Sequence, residues 1–204
     1  MEEKDLKKVL EEYLQALKLP TFVKNYQAFA QDAARSGQSY ERFLLGLAKE
    51  EATFQYDKRV ERAIARAKFP VLKDLSSFDF SVVGGITKQR VMELAQGDYL
   101  DKKESIILIG NPGLGKTHIA SGLALAACKQ GKKVRFFSAA ALVNDLLAAQ
   151  HLLQLSKFKA PLLKSDLIVL DEVGFIPLPP KVHRACSNWP VSVFLTEKYC
   201  VAYN

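Results

Sequence analysis

Along residues 2–68 the apolar positions return every three or four residues and never alternate. Leu6, Val9, Leu10, Tyr13, Leu14 and Leu17 trace one stripe at helical spacing, and Pro20 stops that helix. Thr21 is placed to cap a second helix with Phe22, Tyr26, Phe29 and Ala33 on one face, ending near Ser36-Gly37. Ser39 opens a third, Tyr40–Ala67, carrying Phe43, Leu44, Leu47 and Phe54, with Gly46 in its interior. These residues predict a small all-α domain over 1–68. Phe69-Pro70 ends it, and a connector over 69–102 is rich in turn signals such as Ser76-Ser77 and Gly84-Gly85. From Lys103 the pattern changes. Ser105–Ile109 is a short β-branched run, followed by a glycine loop and a helix from Lys116 to about Lys129. Val134–Ser138 and Leu167–Leu170 read as further strands, with a helix over Ala139–Gln150 between them. Strands alternating with helices predict a parallel α/β sheet over 103–180.

Bulk composition narrows the partners more than the fold. The 204 residues are 49% hydrophobic, which fits a packed protein rather than a disordered one. The formal net charge of +7 favours an anionic partner: nucleic acid, nucleotide or acidic lipid. Cys128, Cys186 and Cys200 are too scattered for a disulfide framework or a zinc site. The opening MEEKDLKK lacks the character of a signal peptide, and no apolar run reaches the roughly 18–20 residues that span a bilayer. The expectation is a soluble cytoplasmic protein without a membrane partner.

The chemistry is announced by Gly110-Asn111-Pro112-Gly113-Leu114-Gly115-Lys116-Thr117, which fits G-x-x-x-x-G-K-[ST] at every fixed position. Glycines let successive N–H groups turn inward toward phosphate oxygens, and the helix that follows adds its positive N-terminal end. Lys116 reaches toward β- and γ-phosphates, and the Thr117 hydroxyl is suited to Mg²⁺. The loop follows an apolar strand and opens a helix, the context that separates this motif from an incidental glycine turn. Asp171 and Glu172 end the Leu167–Leu170 strand. The carboxylate of Asp171 suits Mg²⁺ held through water, and that of Glu172 suits a general base for the attacking water. The alternative is a pair of solvated carboxylates at a strand end. Lys116 and Glu172 are therefore the candidate catalytic residues, Thr117 and Asp171 the candidate metal ligands, and ATP with Mg²⁺ the expected cofactors.

With these motifs in order, the chain resembles the IstB-like helper ATPases of bacterial insertion sequences, relatives of the DnaC helicase loader within the AAA+ class. The resemblance rests on Phe78-Asp79-Phe80, Gly110–Thr117, Lys132-Lys133-Val134, and the run from Leu170-Asp171-Glu172 to Leu178, and spans roughly residues 5–180. It implies a P-loop NTPase sheet of the AAA+ type preceded by a helical domain. It also implies an ATPase that assembles as a homo-oligomer on double-stranded DNA and helps a cognate transposase engage its target. Phe78-Asp79-Phe80 would then lie near the adenine; the plainer reading is a connector packed on the core. A DnaC-like loader serving a replicative helicase, and a non-enzymatic DNA-binding remnant, are the competing expectations.

Arg59, Arg62 and Arg66 fall at i, i+3 and i+7, so they share a helical face that can follow a phosphate backbone; Lys68 extends the run. A solvated face explains them equally, and the resemblance tips them toward DNA. Lys129, Lys132 and Lys133 read as compensation of a helix C-terminus. His118, adjoining the loop, is grouped with the cofactor-binding residues by position but reads as a helix residue without catalytic duty. Cys128 reads as a small core residue.

The end of the chain departs from the pattern. In AAA+ proteins the strand order is 5-1-4-3-2, and the fourth strand, ending in a polar residue that helps place water, separates the first from the third. Val191–Thr196 alternates like a strand and is a candidate for that slot, but Pro179-Pro180 and Trp189-Pro190 break the interval before it. The expectation is therefore an incomplete sheet, an aberrant tail over 181–204 left by a frameshift or truncation after about Pro180, and impaired nucleotide turnover.

Overall fold

In the computed structural model, which describes residues 3–83, 85–172 and 192–196, the chain divides into two packed units between Arg59 and Val60, inside the third helix. The first unit contains α1 (Glu3–Ala16), α2 (Pro20–Ser36) and the greater part of α3 (Tyr40–Ala67). Its centre is Leu14, Tyr26 and Leu47, lined by Leu19, Phe22, Val23, Phe29 and Phe43. Of the α1 stripe only Leu14 is buried; Leu6, Val9, Leu10, Tyr13 and Leu17 remain exposed. Gly46 is a packing requirement rather than a flaw in α3. A Cβ there would come 2.8 Å from Phe29 Cε1, so its absence lets α2 and α3 approach.

Thr21 is not the N-cap of α2. Leu19 occupies that position without a side-chain cap, and Pro20 takes the first helical turn, where a missing N–H leaves no bond unmade. The cap comes instead from the buried Glu51 on α3, which accepts hydrogen bonds from the Thr21 N–H at 2.9 Å, from the Thr21 hydroxyl, and from Gln55 Nε2 at 2.7 Å. Burial alone pushes this carboxyl up, but the bonds from Thr21, Gln55 and the Phe22 N–H outweigh it and hold it below the ordinary value.

The second unit holds two short 3-10 turns, Leu75–Ser77 and Phe80–Val82, then α4 (Lys88–Ala95), α5 (Asp98–Asp101), β1 (Ile106–Ile109), α6 (Lys116–Lys129), β2 (Val134–Ser138), α7 (Ala139–His151), α8 (Leu155–Leu163), β3 (Leu167–Asp171) and β4 (Ser192–Thr196). The region before β1 therefore carries helices as well as turns. All four strands are parallel, in the order β1-β4-β3-β2. β3 is buried on both faces. Leu167 and Val169 meet the α6 side, with Leu123, Ala124, Ala127 and Cys128; Ile168 and Leu170 meet Leu142, Val143, Leu146 and Leu162 of α7 and α8. That two-sided burial is why its sequence is continuously apolar. Cys128 is a core residue, its thiol pushed up to about 11 by burial.

The ladder corrects the expectation of a tail that is aberrant throughout 181–204. Ser192–Thr196 lies between β1 and β3, pairing Ile106 with Val193 through Ile109 with Thr196 on one side and Ile168 with Ser192 through Leu170 with Phe194 on the other. The physical reason is that β1 and β3 each present a row of backbone groups that need partners, and this segment supplies them to both. The sheet is thus the 1-4-3-2 part of the expected order, and no strand flanks β1 on its outer side among the described residues. No described helix is long and apolar enough to cross a membrane. The remainder of 181–204, including Cys186 and Cys200, lies outside the described residues, as does Val173–Leu178 of the matching run.

Candidate nucleotide site

The C-terminal ends of β1 and β3 converge on the first turn of α6. Between β1 and that helix the chain must reverse within a few residues, and it does so with left-handed backbone at Gly113 (φ +81°) and Gly115 (φ +77°), which glycine alone adopts without strain. Gly115 is the N-cap of α6 and offers no side chain to its open N–H groups, which stay available to an external acceptor. The Lys116 ammonium donates to the carbonyls of Gly110 at 2.7 Å and Asn111 at 2.8 Å, tying the start of the loop to its end. Asn111, Pro112, Gly113 and Leu114 are exposed; Lys116, Thr117 and His118 are half-buried.

Across the sheet end, the Thr117 hydroxyl donates to Asp171 Oδ2 at 2.9 Å. The other carboxylate oxygen, Oδ1, accepts the N–H of Glu172 at 2.9 Å. Glu172 itself is exposed and takes a left-handed backbone (φ 61°), so the chain turns sharply as soon as β3 ends. Sequence residues 54 apart, Thr117 and Asp171, are thereby brought into contact, with Lys116 and Glu172 beside them in the chain. Of the four exposed cations, Arg62, Arg66 and Lys68 are not part of this cluster; Arg59 lies on the part of α3 that belongs to the first unit. The carbonyl of Arg66 is capped by Arg135 Nη1 at 3.0 Å. Lys129 and Lys132 are each engaged by an acid, Asp74 at 3.0 Å and Asp101 at 2.7 Å, rather than serving the helix end alone.

The two oxygen donors, Thr117 Oγ1 and Asp171 Oδ2, suit a hard divalent cation that keeps most of its shell as water and phosphate oxygen. Among the described residues no cluster of three or more His, Cys, Asp or Glu stands ready for a metal. A fully protein-ligated ion is not what this arrangement is built for.

Asp74 was not singled out from sequence, yet it braces the site from the connector. Its carboxylate accepts from the Ser76 N–H at 2.9 Å and meets Lys129. The Ser76 bond first, and Lys129 with it, hold this carboxyl down at about 2. The Asp-x-Ser spacing of a small capping turn was the available signal.

A parallel β1-β4-β3-β2 sheet, with a glycine loop running from β1 into α6 and an acidic pair closing β3, defines a P-loop NTPase domain of the AAA+ type. Solved structures agree at the level of fold. AMPPCP-bound DnaA from Aquifex aeolicus superposes with a TM-score of 0.53 at 17% identity, covering 64% of this chain and 44% of that one. A DnaC helicase loader superposes at 0.50 and 20% identity, covering 64% and 79%. The family model described as IstB-like ATP binding protein matches residues 12–186, and the chain belongs to that family. It is 31% identical to the insertion sequence IS5376 ATP-binding protein of Geobacillus stearothermophilus, over 86% of this chain and 70% of that protein. It is 38% identical to an insertion sequence ATP-binding protein of Sinorhizobium fredii, over 80% and 55%. It is 30% identical to the IS21 ATP-binding protein of Pseudomonas aeruginosa, over 83% and 64%. The chain thus spans between about half and 70% of the length of these relatives.

Proposed function

We propose that this chain is the ATP-dependent helper of an insertion sequence: it binds ATP with Mg²⁺, engages double-stranded DNA in that state, assists a cognate transposase, and resets by hydrolysis. The observation that carries the reading is the 2.9 Å contact between Thr117 and Asp171, which joins the phosphate loop to the acidic strand end. Mg²⁺, when bound there, would neutralise phosphate charge and align the phosphates for attack. In this reading Thr117 and Asp171 exchange their mutual hydrogen bond for the metal shell. Lys116 exchanges two loop carbonyls for phosphate oxygens, so the loop is held in shape before the nucleotide arrives. Glu172, exposed at the strand end, orients and deprotonates the attacking water. Thr196 closes β4 in register with Ile109, next to Gly110, which puts a residue of the expected polar type at the head of the central strand.

DNA is engaged through phosphate contacts of Arg59, Arg62, Arg66 and Lys68, which bind without reading sequence. The insertion-sequence relatives favour that role over helicase loading, for which only fold likeness speaks. Nucleotide binding and turnover with and without duplex DNA test the proposal. Lys116→Ala is expected to abolish binding, and Glu172→Gln to retain binding while losing turnover. Equal nucleotide binding by wild type and Lys116→Ala would sink it. Arg62→Ala combined with Arg66→Ala should weaken duplex binding uniformly across sequences and flatten its salt dependence.

A further inference from the structure

A strap from Asp74 to Phe80 lies along the first half of α6 and ends at the phosphate loop. At one end Asp74 meets Lys129 at 3.0 Å. In the middle Leu75 is seated at Gly122, where an added Cβ would come 2.4 Å from Leu75 Cδ2 and 3.2 Å from its backbone nitrogen. At the other end the Phe78 ring fills the space Gly115 leaves open; a Cβ on Gly115 would come 2.4 Å from Phe78 Cε2. That ring is boxed in by Phe80, at 4.7 Å and 70°, and by His118, at 5.0 Å and 84°. His118 is fixed in turn. Its Nε2 lies 2.9 Å from the Asp74 carbonyl, which can only accept, so Nε2 carries the proton; the Ser77 hydroxyl donates to the same carbonyl at 2.8 Å.

The Gly115 carbonyl accepts the first bond of α6, from the Ile119 N–H at 2.9 Å, but the residue has no side chain of its own and sits at φ +77°, so what confines its φ further must come from outside the loop. We propose that Phe78 and His118 are positioning residues for the phosphate loop: Phe78 walls in Gly115 and His118, anchored to the Asp74 carbonyl, holds that wall in place. They act through the loop rather than by touching the nucleotide. The inference rests on the nucleotide-binding reading above and assigns His118 and Phe78 a role apart from base or phosphate contact.

The test is displacement of a fluorescent ATP analogue from the full chain by ATP and, separately, by inorganic tripolyphosphate, with unfolding followed in nucleotide-free samples. His118→Ala is expected to weaken ATP and tripolyphosphate by the same factor, roughly fivefold, the scale of a released glycine's backbone freedom. His118→Gln keeps an N–H for the Asp74 carbonyl and should recover most of that loss. Phe78→Leu keeps bulk against Gly115 and should stay within about twofold of wild type, while Phe78→Ala does not. Loss of ATP affinity with tripolyphosphate unchanged would make Phe78 a base contact and overturn the proposal, as would equal binding by His118→Ala and wild type. A wild-type chain that binds neither compound removes the nucleotide reading itself, a failure distinct from these.

Discussion

Up to Arg59 the described chain buries Leu14, Tyr26 and Leu47 together with one carboxylate, Glu51; from Val60 onward it buries a two-sided sheet core and no charged side chain among the described residues. The helical unit has a small apolar core, and it joins α2 to α3 with a carboxylate that caps a helix start. The α/β unit has core to spare and puts its polar groups at the strand ends, where backbone strain and open N–H groups can serve a ligand. A buried charge in the first case is architecture; in the second, the charges at the strand ends are those of the proposed site.

The largest expected effect lies in the sheet core. Leu123, 1% exposed on α6, touches the centre of the second unit, and Leu123→Ala should cost about 3 kcal/mol there. Hydrogen exchange followed peptide by peptide should report lost protection in β1–β3 with the helices before Arg59 unchanged. Equal loss in both units would break the comparison. Next come the loop glycines. Gly115→Ala adds a clash with Phe78 to the roughly 1–2 kcal/mol of a left-handed alanine, whereas Gly113→Ala faces open space and carries the backbone term alone. Thermal unfolding should rank them in that order, and the reverse order would mean that Phe78 yields freely.

Glu51→Gln should cost about 1–2 kcal/mol in the helical unit alone, since charge-assisted caps are stronger than neutral ones. Because the folded carboxyl is held below its ordinary 4.5, its contribution is fully present above that value and is lost as pH falls through it toward the lower folded value. Urea unfolding between pH 6 and 3 should therefore show a slope that Glu51→Gln removes. The smallest effect is a gain. Ser121, fully buried in α6, has a hydroxyl with no hydrogen-bond partner among the described residues, so Ser121→Ala should raise stability by up to about 1 kcal/mol. A loss instead would reveal a partner for that hydroxyl.

What was legible in the chain follows the range of the interaction. The phosphate loop, α6, β2 and the start of β3 declared themselves because glycine spacing and β-branched runs act locally. The third helix was read to its ends because Ser39 and Phe69-Pro70 punctuate it. The cap of α2 escapes a local pattern because its partner, Glu51, lies 30 residues away, and a threonine after a proline looks sufficient by itself. The strap was unreadable for the same reason: that Phe78 stands against Gly115 is a fact of tertiary packing. Helix α8 carries Pro161 in its interior and gave no clean period. The place of Ser192–Thr196 turned on the needs of two other strands, which no local pattern expresses.

That last strand also imposes an order of events. β1 and β3 never pair with each other; each waits for β4, which leaves the ribosome after both. Until Ser192–Thr196 is made, two strand edges stand open, and only the packing of α6 on β3 links Thr117 to Asp171. The nascent chain therefore carries a finished phosphate-loop motif long before it carries a site. Its aggregation risk should peak in that interval, while the slow, long-range pairing is still to come.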